Sequence, residues 1–186
     1  MRLFIGSFVN ISDLVEDEVR EKIFEFLNYK VSKVKEGNFH ITWKFLGEVE
    51  NACVPKINEV LEQNTSLIKN FQICFNAISL WPDKNKPKIL VVEGVDITGQ
   101  TELFVEWLNR SLCCPGSGFG FEMEKRKFKP HVTLARFKNI ERKLKIADTV
   151  IESRTVNINK IQLISSEITP DGSNYRIIRN FNLDKI

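Results

Sequence analysis

The sequence of 186 residues has little histidine, with only two residues, and no large excess of charge of either sign. Its 27 lysines and arginines against 24 acidic residues give a net charge of +3, well short of the dense basic surface typical of non-specific duplex binding. A small or short polyanionic substrate is compatible with this charge. Hydrophobic residues at 42% and charged residues at 27% exclude a disordered or collagen-like chain.

Cysteine is also scarce, and no Cys-x-x-Cys spacing occurs, although Cys113 and Cys114 are adjacent. We expect reduced thiols, mostly packed in the interior. No apolar run approaches the roughly 18 residues of a membrane span, and the apolar N-terminus gives way to polar sequence too early for a signal peptide. We therefore expect a cytoplasmic, monomeric protein with no membrane partner.

Helix and strand patterns alternate along the chain, but several neighbouring strands are joined by loops too short for a parallel crossover. Strands are predicted at 2–9, 39–47, 71–80, 88–95 and 131–138. Helices are predicted from Asp13, from Pro55 to about Ile68 and after Thr98, with a partly helical stretch at 140–153. A closing hairpin is predicted from 156–168 and 175–183, with a bulge between Ile158 and Ile161 where the apolar phase shifts. The pattern predicts an α+β fold rich in antiparallel strands.

Both histidines begin the same short pattern, in which an apolar β-branched residue and then a threonine follow: His40-Ile41-Thr42 and His131-Val132-Thr133. Threonine occupies 8 of 186 positions, so chance would place one two residues after both histidines in roughly one sequence of 500. Residues i and i+2 of a strand share a face, so each strand presents an imidazole beside a hydroxyl. If two lobes bring these strands together, their cleft holds two imidazoles and two hydroxyls in a near-twofold arrangement.

Two opposed imidazoles suit phosphodiester chemistry. One neutral ring accepts a proton from the attacking oxygen, and one protonated ring supplies a proton to the leaving oxygen. The hydroxyls of Thr42 and Thr133 would donate hydrogen bonds to the non-bridging phosphate oxygens. Zinc is disfavoured, because two histidines without an acidic cluster or paired cysteines make a poor ligand set, and we expect no metal or cofactor. A single motif would indicate only an ordinary strand, whereas its doubling indicates a site.

Basic residues lie close to both motifs. Lys44 shares the His40 face under strict alternation and is a candidate for phosphate binding, although a surface lysine is the plainer interpretation. Strict alternation places Arg136 on the other face, so it reaches the cleft only if its strand twists or bulges. The basic run at 125–127 is a candidate for steering a nucleic acid backbone. The substrate-binding roles of Lys44 and Arg136 therefore depend on the course of their strands.

Several segments, in order along the chain, carry a family pattern: 1–5, 38–49 and 126–136, then Ser165 and Tyr175 before Leu183. With these segments the chain resembles the 2H phosphoesterase superfamily and, within it, the RNA 2′,3′-cyclic phosphodiesterases, also called 2′-5′ RNA ligases. It departs from the common pattern at Gly6-Ser7, where a small apolar residue is more frequent. The resemblance implies a bilobal, pseudo-twofold fold with two antiparallel-rich sheets, outer helices and a central cleft. Residues 1–186 would then form a single domain made of two intertwined lobes.

The resemblance also implies hydrolysis of RNA 2′,3′-cyclic phosphate ends to 2′-phosphate ends without a metal or cofactor. By analogy, His40 would be the proton donor to the departing 3′ oxygen, and His131 the proton acceptor that activates water. The residues alone do not choose between these roles. The alternatives left open are a 2′-5′ oligoadenylate or a small cyclic-phosphate nucleotide as the substrate, reverse action as a ligase, and a non-catalytic RNA-end-binding module.

Overall fold

A computed structural model describes residues 1–26, 31–65, 67–113, 116–137, 149–169 and 172–184. Its strands are β1 (Arg2–Phe8), β2 (Val31–Lys33), β3 (His40–Glu48), β4 (Phe71–Trp81), β5 (Ile89–Asp96), β6 (His131–Phe137), β7 (Thr149–Ile158), β8 (Lys160–Thr169) and β9 (Gly172–Asn182). Its α-helices are α1 (Asp17–Phe26), α2 (Val54–Thr65) and α3 (Gln100–Cys113). No helix within these ranges combines the length and the apolar character needed to cross a bilayer.

The strands pair antiparallel in the order β7-β4-β5-β6-β3-β1-β8-β9, and β2 pairs with β6 beside this path. Strands β3 and β6 are joined, among the described residues, by one pair, Ile41 with Val132. The sheet consists of two halves that meet at this pair, β7-β4-β5-β6 and β3-β1-β8-β9. The two antiparallel-rich sheets that the resemblance implies are therefore the halves of one continuous sheet. The α+β prediction is therefore confirmed, with both halves joined edge to edge.

The half that contains β3 has a β-bulge close to His40. Strand β1 runs beside β3 with Phe8 opposite His40 and Gly6 opposite Thr42. Trp43 is then an extra residue in β3, and the pairing resumes one position later. Because side chains of a strand alternate between faces, this insertion reverses the face of the residues that follow it, up to a second register shift between Phe45 and Gly47.

The other half, which contains β6 and His131, repeats this pairing. Strand β5 runs beside β6 with Glu93 opposite His131 and Val91 opposite Thr133, and Leu134 is the extra residue. Each central strand thus bulges at the residue after its threonine. The short pattern that occurs twice in the sequence therefore corresponds to a pseudo-twofold repeat of backbone pairing.

The hydrophobic core lies on the face of the sheet to which Ile41 and Val132 point, and both residues are fully buried. On this side the Trp43 ring packs edge-on against Phe71 of β4 and Phe104 of α3, with centroids 5.2 and 5.5 Å away. Helix α3 therefore covers the back of β3. The opposite face of β3 and β6 is left for the motif side chains.

Two predicted helical regions differ in the structure. Helix α1 begins at Asp17 and not near Asp13, because the chain first makes a 3-10 turn that buries Leu14 and Val15. The stretch predicted as partly helical at 140–153 contains the start of strand β7, where Val150 is 84% exposed and Ile151 is 9% exposed. Residues 140–148 of that stretch lie outside the described residues.

The predicted bulge between Ile158 and Ile161 is wrong. The phase shift there marks the end of β7 and the start of β8, with Asn159 between them. These strands lie far apart in the strand order, beside β4 and beside β1 respectively. One residue spans this gap only if the sheet curls, so the chain crosses here from one half of the sheet to the other.

Candidate active site

The two motifs meet at the pair that joins the halves of the sheet. Directly opposite residues of an antiparallel pair point to the same face, and their neighbours along each strand point to the other. Since Ile41 and Val132 point into the core, the motif residues beside them project together from the opposite face. These half-buried residues are His40, Thr42, His131 and Thr133.

The register also sets the spacing of the two imidazoles. Next to the central pair, His40 is level with Thr133, which makes His40 and His131 diagonal neighbours. Such neighbours have Cα atoms about 7–8 Å apart, so both rings can contact a single phosphate group. Within the described residues, the hydroxyls of Thr42 and Thr133 have no hydrogen-bond partner, and both are available to a ligand.

Both imidazoles are fixed by the same backbone contact. The Nδ1 atom of His40 lies 2.7 Å from the carbonyl oxygen of Asn38, and that of His131 lies 2.8 Å from the carbonyl oxygen of Lys129. A carbonyl oxygen only accepts, so Nδ1 donates its proton in each ring. The neutral ring then has a lone pair on Nε2, and the charged ring has a proton there. Each Nε2 is thus the atom that exchanges a proton with a ligand.

Aromatic rings surround His40. The ring centroids of Phe4, Phe8 and Tyr175 lie 5.0, 5.8 and 4.9 Å from that of His40. Burial lowers the pKa of His40, and nearby positive charge from Arg136 lowers it further, against the raising effect of the bond to the Asn38 carbonyl. Burial and this positive charge therefore disfavour the protonated form of the His40 imidazole.

A charged partner distinguishes His131 from His40. Glu93 lies directly opposite His131, and its carboxylate accepts a 2.6 Å hydrogen bond from Nε1 of Trp81, whose ring centroid is 4.5 Å from that of His131. Burial lowers the pKa of His131, while the bond to Lys129 and the charge of Glu93 raise it and Arg136 lowers it. The repeated scaffold thus holds two chemically different histidines.

The bulge in β6 brings Arg136 to the cleft. With Leu134 as the extra residue, Arg136 pairs with Ile89 in the same phase as Thr133. Arg136 was expected to reach the cleft only if its strand twists or bulges, and this bulge fulfils that condition. Its charge acts on both histidines, and it lines a cavity of about 510 Å³ together with His40.

The expected position of Lys44 in the cleft is wrong. The bulge at Trp43 turns Lys44 to the core face, where it is 6% exposed. Its Nζ donates hydrogen bonds to Oδ1 of Asn109, at 2.9 Å, and to the carbonyl oxygen of Glu122, at 3.0 Å. Phe45, 63% exposed, lines the cavity instead. Lys44 therefore ties β3 to α3 and to the segment that follows it.

Sequence reasoning missed Glu93 and Trp81, which contact or face the second histidine. A signal for Glu93 exists, because a lone carboxylate ends the apolar run Ile89–Val92 of a predicted strand. Trp81 begins a loop rich in proline and lysine, and nothing local to it indicates a contact with His131. Its position depends on the pairing of β4 with β5.

Comparison with known proteins gives consistent matches. A family model described as LigT like Phosphoesterase matches residues 17–91. An RNA 2′,3′-cyclic phosphodiesterase of Methanocaldococcus jannaschii is 30% identical over 186 residues, covering 97% of this chain and 100% of that protein. A protein of the same name from Aquifex aeolicus is 29% identical, covering 98% of this chain and 97% of its own.

Solved structures share the fold. TT0787 of Thermus thermophilus superposes with a TM-score of 0.79 at 21% identity, covering 100% of this chain and 99% of its own. LigT of E. coli complexed with 3′-AMP gives a TM-score of 0.71 at 17% identity, covering 98% of this chain and 97% of its own. At these identities the likeness concerns the fold.

Proposed function

The chain belongs to the family of LigT-like phosphoesterases, and from this premise we propose that it hydrolyses the 2′,3′-cyclic phosphate ends of RNA to 2′-phosphate ends. The pairing of Ile41 with Val132 carries this proposal, because it sets two imidazoles and two free hydroxyls on one face within reach of one phosphate. The names of the sequence relatives support RNA as the substrate.

The proposed step is an in-line displacement at phosphorus. His131 takes a proton from water through Nε2 as the water oxygen bonds to phosphorus, and His40 gives its Nε2 proton to the 3′ oxygen as the phosphorus–O3′ bond breaks. The products are a 2′-phosphate and a 3′-hydroxyl. The two rings end with exchanged protonation states, which proton exchange with solvent resets.

The surroundings of the histidines support this division of roles. When His131 takes a proton it becomes positively charged, and the carboxylate of Glu93 opposite it stabilises that charge. His40 has aromatic neighbours and no such carboxylate beside it among the described residues, and burial lowers its pKa. Once protonated near the phosphate, it is a stronger acid than an ordinary histidine.

The charge that develops on the phosphate needs donors. The hydroxyls of Thr42 and Thr133 project beside the two imidazoles and would donate to the non-bridging oxygens. Arg136 would add a charge-assisted, bidentate contact. With proton transfer by two histidines and charge stabilisation by these groups, we propose that the reaction proceeds without a metal ion.

The test uses a 5′-labelled oligoribonucleotide that ends in a 2′,3′-cyclic phosphate, incubated with the protein in the presence of a chelator. We expect turnover to a 2′-phosphate end, and a loss of about 10²–10⁴-fold in kcat in both His40→Ala and His131→Ala. Lys22→Ala, on the exposed side of α1, is the matched surface control. A 2′-5′ oligoadenylate offered in parallel measures the preference for cyclic ends.

Two results would contradict the proposed function. One is absence of turnover with a well-folded protein and full binding of the oligonucleotide, which a non-catalytic RNA-end-binding module predicts. The other is turnover that is unchanged in either histidine variant.

We also propose that the protein acts as a cytoplasmic monomer. Among the described residues, Cys53, Cys74 and Cys113 are free thiols, which is compatible with a reducing compartment. Light scattering at micromolar concentration should give the mass of one chain, 21.6 kDa.

A further inference from the structure

The two halves of the sheet differ at the residue that faces each histidine. Phe8 of β1 lies opposite His40, and its ring packs edge-on against the imidazole with centroids 5.8 Å apart. Glu93 of β5 lies at the equivalent position, opposite His131. The repeated backbone pairing therefore places an apolar ring beside one imidazole and a carboxylate beside the other.

The Glu93 side chain is long enough to reach the reactive atom of His131. Directly opposite residues of an antiparallel pair have Cβ atoms about 4.5–5.5 Å apart, which a glutamate side chain spans. Nδ1 of His131 is bonded to the carbonyl oxygen of Lys129, so a carboxylate that bonded this imidazole would do so at Nε2. Such a bond would stabilise the proton on Nε2 and block the access of water to this atom.

In the structure, the carboxylate is bonded elsewhere. Oε1 of the half-buried Glu93 accepts a hydrogen bond from the indole N–H of Trp81 at 2.6 Å, a short distance typical of a charged acceptor. Within the described residues, no hydrogen bond or ion pair joins Glu93 to His131. The carboxylate therefore acts on His131 through space, as a nearby charge that raises its pKa.

The other groups that face His131 do not replace this carboxylate. Arg136, on the same strand, is positive and lowers the pKa of His131, and His40 lies across the central pair of β3 and β6. Strand β4 places the uncharged Ala77 opposite Glu93. In the part of the chain that the structure describes, Glu93 is thus the negative charge that acts on His131, and its position decides its effect.

Trp81 is suited to fix that position because of its ring nitrogen. Its ring centroid lies 4.5 Å from that of His131, so one side chain contacts the imidazole and bonds the carboxylate at the same time. An indole N–H only donates, whereas phenylalanine has no donor in its ring. A tryptophan therefore adds to the aromatic packing a hydrogen bond that only the half with the carboxylate requires.

We infer that Trp81 is a positioning residue, whose indole N–H holds the Glu93 carboxylate beside the His131 ring and away from Nε2. From this position the carboxylate stabilises the imidazolium that forms during proton transfer and leaves Nε2 open to water. The catalytic consequence rests on the proposed function, in which His131 is the proton acceptor. The position of the carboxylate itself does not depend on the substrate.

The first experiment removes the donor and keeps an aromatic ring, in Trp81→Phe. The released carboxylate should turn to Nε2 of the protonated imidazole, so the pKa of His131 measured by NMR should rise by about one unit. The acidic limb of the pH profile of kcat/KM should move upward with it, which gives about tenfold slower turnover below that pKa and nearly full turnover above it. Trp107→Phe, in α3 on the back of the sheet, is the matched control and should change neither quantity.

The second experiment combines Trp81→Phe with Glu93→Gln in a double-mutant cycle. Because Trp81 acts through the carboxylate, Trp81→Phe should change the pKa of His131 by less than about 0.3 unit, and kcat/KM by less than about twofold, once Glu93 is glutamine. A role of Trp81 in packing alone, or in direct contact with the substrate, predicts that the effects of the two substitutions add.

A third measurement needs no substitution of Trp81. In the unsubstituted protein, the indole N–H of Trp81 should resonate downfield of that of Trp107, and it should move upfield in Glu93→Gln. An indole resonance that does not move would show that Trp81 does not hold the carboxylate.

Three further results would overturn the inference: a pKa of His131 that is unchanged or lower in Trp81→Phe, the same rise in Trp107→Phe, or a full effect of Trp81→Phe in the absence of the Glu93 carboxylate. The NMR titrations use no substrate, so they test the position of the carboxylate whether or not the protein turns over a cyclic phosphate. Absence of turnover together with the expected titrations would contradict the proposed function alone.

Discussion

Arg136 offers a quantitative test of the site, because only the bulge in β6 places it in the cleft. A hydrogen bond to a charged group contributes about 1.5–3 kcal/mol, and each 1.36 kcal/mol is tenfold in rate, which gives about 10–150-fold. The Arg136 side chain is exposed, so solvent screens part of this contribution. We therefore expect Arg136→Ala to lower kcat/KM on the cyclic-ended oligonucleotide by about 10–50-fold.

A second readout follows from the charge of Arg136. This charge lowers the pKa of His40 and of His131, so its removal should raise both pKa values. Titration of the two imidazoles by NMR measures this directly. Arg136→Lys keeps the charge but loses the bidentate fork, so both pKa values should stay low while part of the activity is lost.

The control for Arg136 is Arg110→Ala, which removes an exposed arginine that pairs with Glu106 on α3. It should change neither the activity nor the titration of the histidines. A decrease of less than threefold in Arg136→Ala, together with unchanged pKa values of both histidines, would show that Arg136 does not act in the cleft.

Four other predictions concern residues around the cleft. Glu93→Gln should lower the pKa of His131 measured by NMR, because the carboxylate raises it; an unchanged value would remove Glu93 from the site. Lys44→Ala should destabilise the fold by about 2–4 kcal/mol in urea unfolding, because it removes two buried hydrogen bonds, and a change below about 0.5 kcal/mol would contradict this. Gly6→Val should cost about 1–3 kcal/mol, because a Cβ there would lie 2.8 Å from a backbone carbonyl oxygen; unaltered thermal unfolding would refute the tight contact. Burial lowers the pKa values of His40 and His131, so unfolded imidazoles gain protons below about pH 6.5 while folded ones do not. Stability should therefore fall from that pH downward, and a variant with both replaced by glutamine should show a smaller fall.

The α+β class and the motif positions could be predicted because both depend on local alternation. Up to Thr42 and Thr133, the two-residue period of a strand assigns each side chain to the correct face. Because the rare His-x-Thr pattern occurs twice, the sequence also predicted that two distant segments contribute to one site. In the structure, the pairing of Ile41 with Val132 brings these two segments together.

Strict alternation predicts the wrong face from the second residue after each threonine onward. The bulges at Trp43 and Leu134 insert one residue, which moves Lys44 out of the cleft and Arg136 into it. A bulge depends on the partner strand as well as on the bulged one. Strict alternation already places an apolar residue at the positions of Trp43 and Leu134, so neither residue signals the change of phase that follows it.

The prediction of a bulge between Ile158 and Ile161, where the chain crosses between the halves of the sheet, failed for a related reason. The phase shift around it was visible in the sequence, but a bulge and a crossing between the two halves give the same shift. Only the strand order separates these possibilities. The contact of Glu93 with the second site likewise requires knowing that β5 lies beside β6.

The proposed roles of His40 as proton donor and His131 as proton acceptor are tested most directly by changing the leaving atom of the substrate. In a substrate whose 3′ bridging oxygen is replaced by sulfur, the leaving thiolate needs little protonation, because a thiol has a pKa of about 8.5. We predict that the kcat defect of His40→Ala on the oxygen substrate shrinks by at least about tenfold on the sulfur substrate, while that of His131→Ala stays the same. Rescue of His131→Ala instead, or equal defects of both variants on both substrates, would contradict the roles proposed for the two histidines.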